Sequence, residues 1–79
     1  SVTLPVVGQV VPGSAAAEVG LLPGDKIVSV DGEAIQWFDE LGRKVAHRPD
    51  EEITLKAERG GKVQEFDFRI GVEIQKDRF

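Results

Sequence analysis

The chain has no cysteine, no methionine and no tyrosine among its 79 residues, and it has one tryptophan and one histidine. Without cysteine, it can form neither a disulfide framework nor a thiolate-ligated metal site. No apolar run approaches the roughly 20 residues that a membrane-spanning helix needs, and no signal-peptide pattern is visible. The 10 basic residues are outnumbered by 14 acidic ones, and the net charge of −4 argues against a nucleic-acid-binding domain. The length predicts one small domain.

Most residues between positions 20 and 32 are of types that favour a particular backbone conformation. Gly20 follows a run of small residues and stands where a helix needs a positive φ to end. Pro23 and Gly24 suit the two central positions of a type II turn, because proline presets φ and glycine accepts the positive φ. Asp31 and Gly32 form a strong two-residue hairpin signal. The order short helix, tight turn, strand, hairpin and strand is therefore predicted within about twenty residues.

Apolar periodicity and turn residues predict the remaining elements. We expect strands over 6–11, 26–30, 33–35, 53–57 and 66–74, with a kink at position 71 of the last, and helices over 15–19 and 37–47. Ser14 suits the N-cap of the first helix. In the second helix, Phe38, Leu41 and Val45 recur at helical spacing and predict one buried stripe. Gly42 is unfavourable within a helix, so either a neighbour approaches closely there or the helix tolerates it.

Catalytic chemistry has little support in the sequence. His47 is the single histidine, and its position near a helix C-terminus favours a surface role over a catalytic one. Ser14 is explained by helix capping, and Ser29 has no evident basic partner. The acidic run at 50–52 lacks the spacing of a cation loop and indicates a solvated loop. We therefore expect no catalytic residue, no metal site and no cofactor in this chain, which is not itself an enzyme.

Together with the segment at 12–20, the run at 20–32 resembles the signature of bacterial PDZ domains, which are small modules that bind extended peptides. Eight residues carry the resemblance in order: Gly20, Pro23, Gly24, Asp25, Ile27, Val30, Asp31 and Gly32. It implies a mainly β, α+β fold over residues 1–79: a PDZ-like β-sandwich of about five to six strands with two helices, in the circularly permuted bacterial arrangement.

The resemblance also implies a peptide-binding site beside the second helix. PDZ domains accept an extended peptide as an added strand between a sheet edge and this helix. In the register of the family, Asp39, Gly42, Arg43 and Ala46 face the groove, while the apolar stripe faces the core. The competing interpretation is that Asp39 and Arg43 are ordinary surface charges.

The segment at 4–16, with Trp37 entering the second helix, is similar to PDZ domains inserted in bacterial site-2 proteases. The terminal Asp77-Arg78-Phe79 also fits that group. These are membrane-embedded zinc metalloproteases, so the resemblance implies zinc in a parent protease and a location on the extracytoplasmic (periplasmic) side of a bacterial inner membrane. The expected partner is an extended segment or the C-terminus of a substrate protein, bound by a monomer, with regulation of substrate access as the role.

One departure from the family pattern leaves alternatives open. The carboxylate-binding Gly-Ile element and groove strand are expected after Phe79, so the chain looks like an excised domain that lacks half of its groove or fills it with its own tail. A PDZ domain of an HtrA-type or C-terminal processing serine protease is a second interpretation, although no glycine precedes the first strand. A structural spacer that never binds peptide is a third.

Overall fold

Turn and cap residues set the limits of the helices and strands. The computed structural model describes residues 3–46, 48–71 and 79. Its elements, in chain order, are α1 (Ala15–Glu18), β1 (Lys26–Val30), β2 (Glu33–Ala34), α2 (Phe38–Val45), β3 (Glu52–Arg59) and β4 (Lys62–Arg69).

The four strands form one antiparallel sheet in the order β2-β1-β3-β4. β3 and β4 pair along all eight residues of each strand. The register between β1 and β3 shifts between Ile27 and Ser29, which is the position of a bulge-like irregularity. The expected opening strand is an extended segment that pairs with β1 through an antiparallel bridge between Val6 and Lys26. It adds a fifth extended neighbour to the sheet.

Two turns in the signature run have the predicted backbone conformations. Asp31 and Gly32 have φ values of 49° and 83°, the pair of positive values that a type I′ hairpin turn requires. Gly24 has φ of 92°, and the N–H of Asp25 donates to the carbonyl of Leu22 at 3.2 Å. The turn at 22–25 therefore has proline and glycine at its two central positions, as the sequence indicated.

The first helix is short and capped as predicted. The hydroxyl of Ser14 accepts a hydrogen bond from the N–H of Ala17 at 3.1 Å, which satisfies one of the free donors at the helix start. α1 ends at Glu18, with Val19 as its C-cap. Ala16 is buried, so the small side chains of this helix let it lie close to its neighbours.

The core lies on one face of the sheet, between the strands and the two helices. On β3, the buried residues alternate with polar ones, as the sequence predicted. The core cluster comprises Val7, Ala16, Leu21, Ile27, Val30, Ile35, Leu41, Val45, Ile53, Leu55, Ala57, Phe66, Phe68, Ile70 and Phe79.

The limits of α2 and β4 in the structure differ from the predicted ones. α2 ends at Val45 rather than reaching position 47, and Ala46 is its C-cap with extended dihedral angles. β4 begins at Lys62, four residues before the predicted start, because those exposed residues pair with β3 although their side chains are not buried. It ends at Arg69. The predicted continuation of this strand through Val72 and Ile74, like His47, lies outside the described residues.

Candidate functional site

α2 is fixed to the rest of the domain at both ends. Its predicted stripe of Phe38, Leu41 and Val45 is buried against the core. At its start, Glu40 accepts hydrogen bonds from the N–H groups of Gln36 and Trp37, each at 3.0 Å, because tryptophan cannot cap the helix itself. Toward its end, the ammonium group of Lys44 lies 2.8 Å from a carboxylate oxygen of Glu33 on β2. The helix is thereby held with one defined face outward.

The four residues expected in the groove lie on or next to that outward face. Asp39 and Arg43 are exposed, and Nη1 of Arg43 lies 3.1 Å from Oδ2 of Asp39, one helical turn away. This hydrogen bond lowers the pKa of Asp39. Gly42 lies between them and the buried stripe, and apart from its chain neighbours and the backbone of α2 itself no described residue comes within 4 Å of the place its Cβ would occupy. Ala46, just beyond the helix, is exposed.

The open space over Gly42 answers one question that the sequence left open. Among the described residues, no close neighbour explains a glycine at this helical position. Because glycine has no side chain, Gly42 leaves open space above α2. The groove assignment of Asp39, Gly42, Arg43 and Ala46 stays a prediction.

The extended segment before α1 lies between the start of α2 and β1. The carbonyl of Thr3 accepts the N–H of Phe38, the first residue of α2, at 2.8 Å. Farther along, the carbonyl of Pro5 accepts the N–H of Ile27, and the N–H of Val7 donates to the carbonyl of Asp25, both at 2.8 Å. One continuous stretch of backbone therefore connects the start of the helix with the sheet.

The far end of this segment contacts Phe79. The N–H of Phe79 donates to the carbonyl of Gln9 at 3.0 Å, and the N–H of Val11 donates to the carbonyl of Phe79 at 2.6 Å. Phe79 is also buried within the core cluster. The sequence leaves open whether the tail fills the groove; in the described structure, Phe79 lies against residues 9–11.

An ion pair that the sequence analysis did not identify holds the turn at 22–25. The carboxylate of Asp25 is only 1% exposed, and the guanidinium of Arg59 binds it through two hydrogen bonds of 2.7 and 2.6 Å. Asp25 also accepts the N–H of Leu22, and Arg59 donates to the carbonyl of Gly20 at 2.8 Å. The hydrogen bond from Arg59 is the largest influence that lowers the pKa of Asp25.

A second ion pair ties the hairpin to the loop after α2. One carboxylate oxygen of Asp31 accepts the N–H of Thr54 at 2.9 Å, and the other lies 2.6 Å from Nη1 of Arg48. The N–H of Thr54, followed by Arg48, lowers the pKa of Asp31. Asp25 and Asp31 belong to the signature run, but their partners are far away in sequence, so no local pattern could have identified the pairs.

The described residues contain no group of three or more His, Cys, Asp or Glu side chains placed to hold a metal ion. In the same part of the chain, no helix is long and apolar enough to cross a membrane. Both acidic residues of the signature run form ion pairs with arginine, and Ser14 caps a helix.

Comparison with known proteins identifies the class of domain. Residues 6–59 match the family model of the PDZ domain, and the chain belongs to this family. A relative from Rhizobium meliloti (strain 1021), provisionally named a zinc metalloprotease, is 49% identical over 57 residues, which are 72% of this chain and 15% of the relative. Zinc metalloprotease RasP of Geobacillus kaustophilus (strain HTA426) is 34% identical over 58 residues, 73% of this chain and 14% of that protein.

These relatives confirm the predicted similarity to PDZ domains of zinc metalloproteases. The chain spans only a small part of their length, 15% and 14% for the two named above. Their names describe whole proteins and not the matched segment alone.

Solved structures confirm the fold. The PDZ domain of an SdrC-like protein from Listeria monocytogenes superposes with a TM-score of 0.78 at 22% identity, covering 98% of this chain and 80% of that chain. The HtrA-type protease AlgW S227A, solved with a decapeptide, superposes with a TM-score of 0.68 at 28% identity, covering 80% of this chain and 20% of that one. The small PDZ-like arrangement of an antiparallel sheet and two helices is thus shared with both.

Proposed function

We propose that this PDZ domain recognises an extended peptide segment or a C-terminus of a substrate protein and regulates substrate access in a membrane-embedded site-2 zinc metalloprotease. The observation that carries the proposal is the outward face of α2, which is anchored by Lys44 and Glu40 but leaves open space over Gly42. The 49% identity to a relative with a zinc metalloprotease name supports the choice of parent. Zinc belongs to that parent and has no role assigned in this chain.

The proposed contacts follow from the exposed groups on α2. A peptide strand beside the helix places its side chains over Gly42, where the described residues leave the Cβ position open, and over the exposed Ala46. Asp39 and Arg43 neutralise each other in the free domain and can each turn to a charged ligand group. The solved complex of an HtrA-type protease with a decapeptide supports peptide binding by this fold.

The test is a chemical-shift titration of the ¹⁵N-labelled domain with a library of ten-residue peptides, each as the free acid and as the C-terminal amide. We expect shifts at the amides of Asp39, Gly42, Arg43 and Ala46, with an affinity in the micromolar range, on the order of −8 kcal/mol. Equal binding of acid and amide indicates an internal segment, whereas preference for the acid indicates a C-terminus. No shifts at millimolar peptide would refute peptide recognition and favour the spacer.

A matched pair of variants controls for charge. Arg43→Ala and Lys62→Ala each remove one positive charge from an exposed residue, the first on α2 and the second at the start of β4. We expect weaker binding with Arg43→Ala only. If both variants weaken binding equally, the effect is one of net charge, and the proposed contact at α2 is wrong.

The parent and its orientation need a separate experiment in the full-length protein. Val63 is 58% exposed on β4, so a cysteine at that position is open to reagents. Since this domain has no cysteine of its own, Val63→Cys in an otherwise cysteine-free full-length protein gives a single label site. We expect a membrane-impermeant maleimide to label it in intact spheroplasts. Labelling only after lysis would contradict the extracytoplasmic location.

A further inference from the structure

Phe79 binds the segment Gln9–Val11 through backbone hydrogen bonds, as a residue of an added strand binds the edge of a sheet. Its N–H donates to the carbonyl of Gln9 at 3.0 Å, and its carbonyl accepts the N–H of Val11 at 2.6 Å. The two hydrogen bonds lie on either side of Val10, which is the pattern of parallel strand pairing. The hydroxyl of Ser14 also donates to the carbonyl of Phe79, at 3.4 Å.

The side chain of Phe79 fills an apolar site at the same place. Phe79 is 7% exposed and belongs to the core cluster, although it is 70 positions from Gln9 in sequence. The backbone segment that Phe79 binds also lines an open concavity of about 290 Å³, formed by residues 8–12 and Pro23. Backbone pairing together with a side-chain pocket is the combination by which sheets bind extended peptides.

We propose that the edge at Gln9–Val11 is a strand-acceptor site for an extended segment carrying one bulky apolar side chain, and that Phe79 is its internal occupant, which such a segment displaces. This edge is a different element from α2, so the inference stands whether or not α2 binds peptide.

Phe79 and a partner strand cannot bind this edge at the same time, because both need the same backbone donor. The backbone of Val11 has one N–H, and it is used by the carbonyl of Phe79. A partner strand in the same register needs that same donor and the carbonyl of Gln9. The apolar site likewise accepts one large side chain, and a charged one is excluded by the cost of its desolvation. Ser14 supplies a donor to the carbonyl of either occupant.

The probe is the blocked peptide acetyl-Thr-Lys-Thr-Phe-Thr-Lys-amide, with a second copy that has alanine in place of phenylalanine. Binding to wild type, Phe79→Leu and Phe79→Ala is measured by chemical-shift titration. Because an internal occupant lowers apparent affinity by the fraction of time that the edge is free, we expect about tenfold or greater tightening in Phe79→Ala and an intermediate value in Phe79→Leu. The shifts should centre on Gln9 and Val11, and the alanine peptide should bind more weakly.

Phe68 provides the matched control. It is also 7% exposed and in the core, but it lies on β4 and its loss frees no edge. Phe68→Leu should therefore leave peptide affinity unchanged. If Phe68→Leu tightens binding as much as Phe79→Leu does, general loosening of the core explains the effect and the proposal is overturned. Unchanged affinity in both Phe79 variants overturns it as well.

Hydrogen exchange of the unaltered domain keeps the proposal testable if Phe79→Ala does not fold. The N–H of Val11 should be protected in the free protein, and saturating phenylalanine peptide should move the resonances of both Val11 and Phe79. Exchange of the Val11 amide at the rate of an unstructured chain would overturn the proposal. Chemical-shift changes at Asp39 and Gly42 report binding at α2 instead. A negative result at the edge Gln9–Val11 can therefore be told apart from a negative result at α2.

Discussion

Replacing Arg59 by methionine should destabilise the domain strongly, because it leaves a buried carboxylate without its partner. Asp25 is 1% exposed and receives two hydrogen bonds from Arg59, of 2.7 and 2.6 Å. After the substitution, the N–H of Leu22 is the donor to this carboxylate that remains among the described residues. Methionine keeps much of the length and apolar character of the arginine side chain, so the change removes chiefly the charge and the donors.

The magnitude follows from the burial of the two partners. Removing one member of a fully buried ion pair costs about 3–5 kcal/mol. The side chain of Arg59 is 34% exposed, so water reaches the space that the guanidinium leaves and lowers this figure. We therefore expect a loss of about 2–3 kcal/mol in the free energy of unfolding at pH 7. A domain of this length has about 4–12 kcal/mol in total, so the loss is a large fraction.

The same pair predicts the direction of a pH effect. The pKa of Asp25 is lowered in the folded state, chiefly by the hydrogen bond from Arg59, whereas an unfolded aspartate titrates near about 3.9. Because the pKa is lower in the folded state, the ionised carboxylate stabilises the fold at pH values above the pKa of the unfolded state. This contribution is lost as the pH falls through the folded-state value. The stability difference between wild type and Arg59→Met should therefore be largest near neutral pH and shrink in acid.

Urea denaturation at pH 7 and near pH 3 measures these differences, with Asp25→Asn and the double variant completing a cycle. The asparagine amide oxygen retains an acceptor for the N–H of Leu22, so the double variant should be less destabilised than the sum of the two single variants. We expect a coupling of about 1–3 kcal/mol. A loss below about 0.5 kcal/mol for Arg59→Met, or a difference independent of pH, would refute the reasoning.

Two further predictions concern α2 and the hairpin. Gly42→Ala should raise the free energy of unfolding by about 0.5–1 kcal/mol, since the Cβ meets open space and alanine favours the helix; thermal denaturation showing destabilisation would reveal a neighbour that the described residues lack. Asp31→Ala should cost about 1–3 kcal/mol through loss of the acceptor for Thr54 and of the ion pair with Arg48. Asp31→Asn, which keeps the turn and one acceptor, should cost less than half as much, and equal losses would contradict this assignment.

The parts of the fold that the sequence predicts well are those set by one or two adjacent residues. Gly24 and Gly32 require particular turns because of their positive φ values, and both turns are present. Ser14 predicts a helix start, and the hydroxyl caps it. The apolar stripe of α2 can be predicted from the sequence because an α-helix repeats every 3.6 residues. Each of these signals is independent of the rest of the chain.

Long-range contacts were not predicted, because the residues adjacent in sequence to each partner carry no signal of the contact. Asp25 and Arg59 are 34 positions apart, and each is an ordinary charged residue in its own neighbourhood. The early start of β4 has the same cause. Val63 is 58% exposed, so no apolar alternation indicates a strand there, yet pairing with Glu58 on β3 extends the ladder. Strand limits follow from the partner strand, whereas alternation reports only burial.

The charged residues of α2 form two groups, one that holds the helix in place and one on the face proposed to contact a peptide. Lys44 and Glu40 bind groups outside the helix or at its start, so their loss should loosen its attachment. Asp39 and Arg43 bind each other on the exposed face, and such a solvent-exposed pair contributes little to stability. Substitutions at these two positions therefore change the surface offered to a peptide while leaving the scaffold nearly unchanged. A loss of binding in Arg43→Ala can be assigned to recognition, which a loss in a Lys44 variant could not.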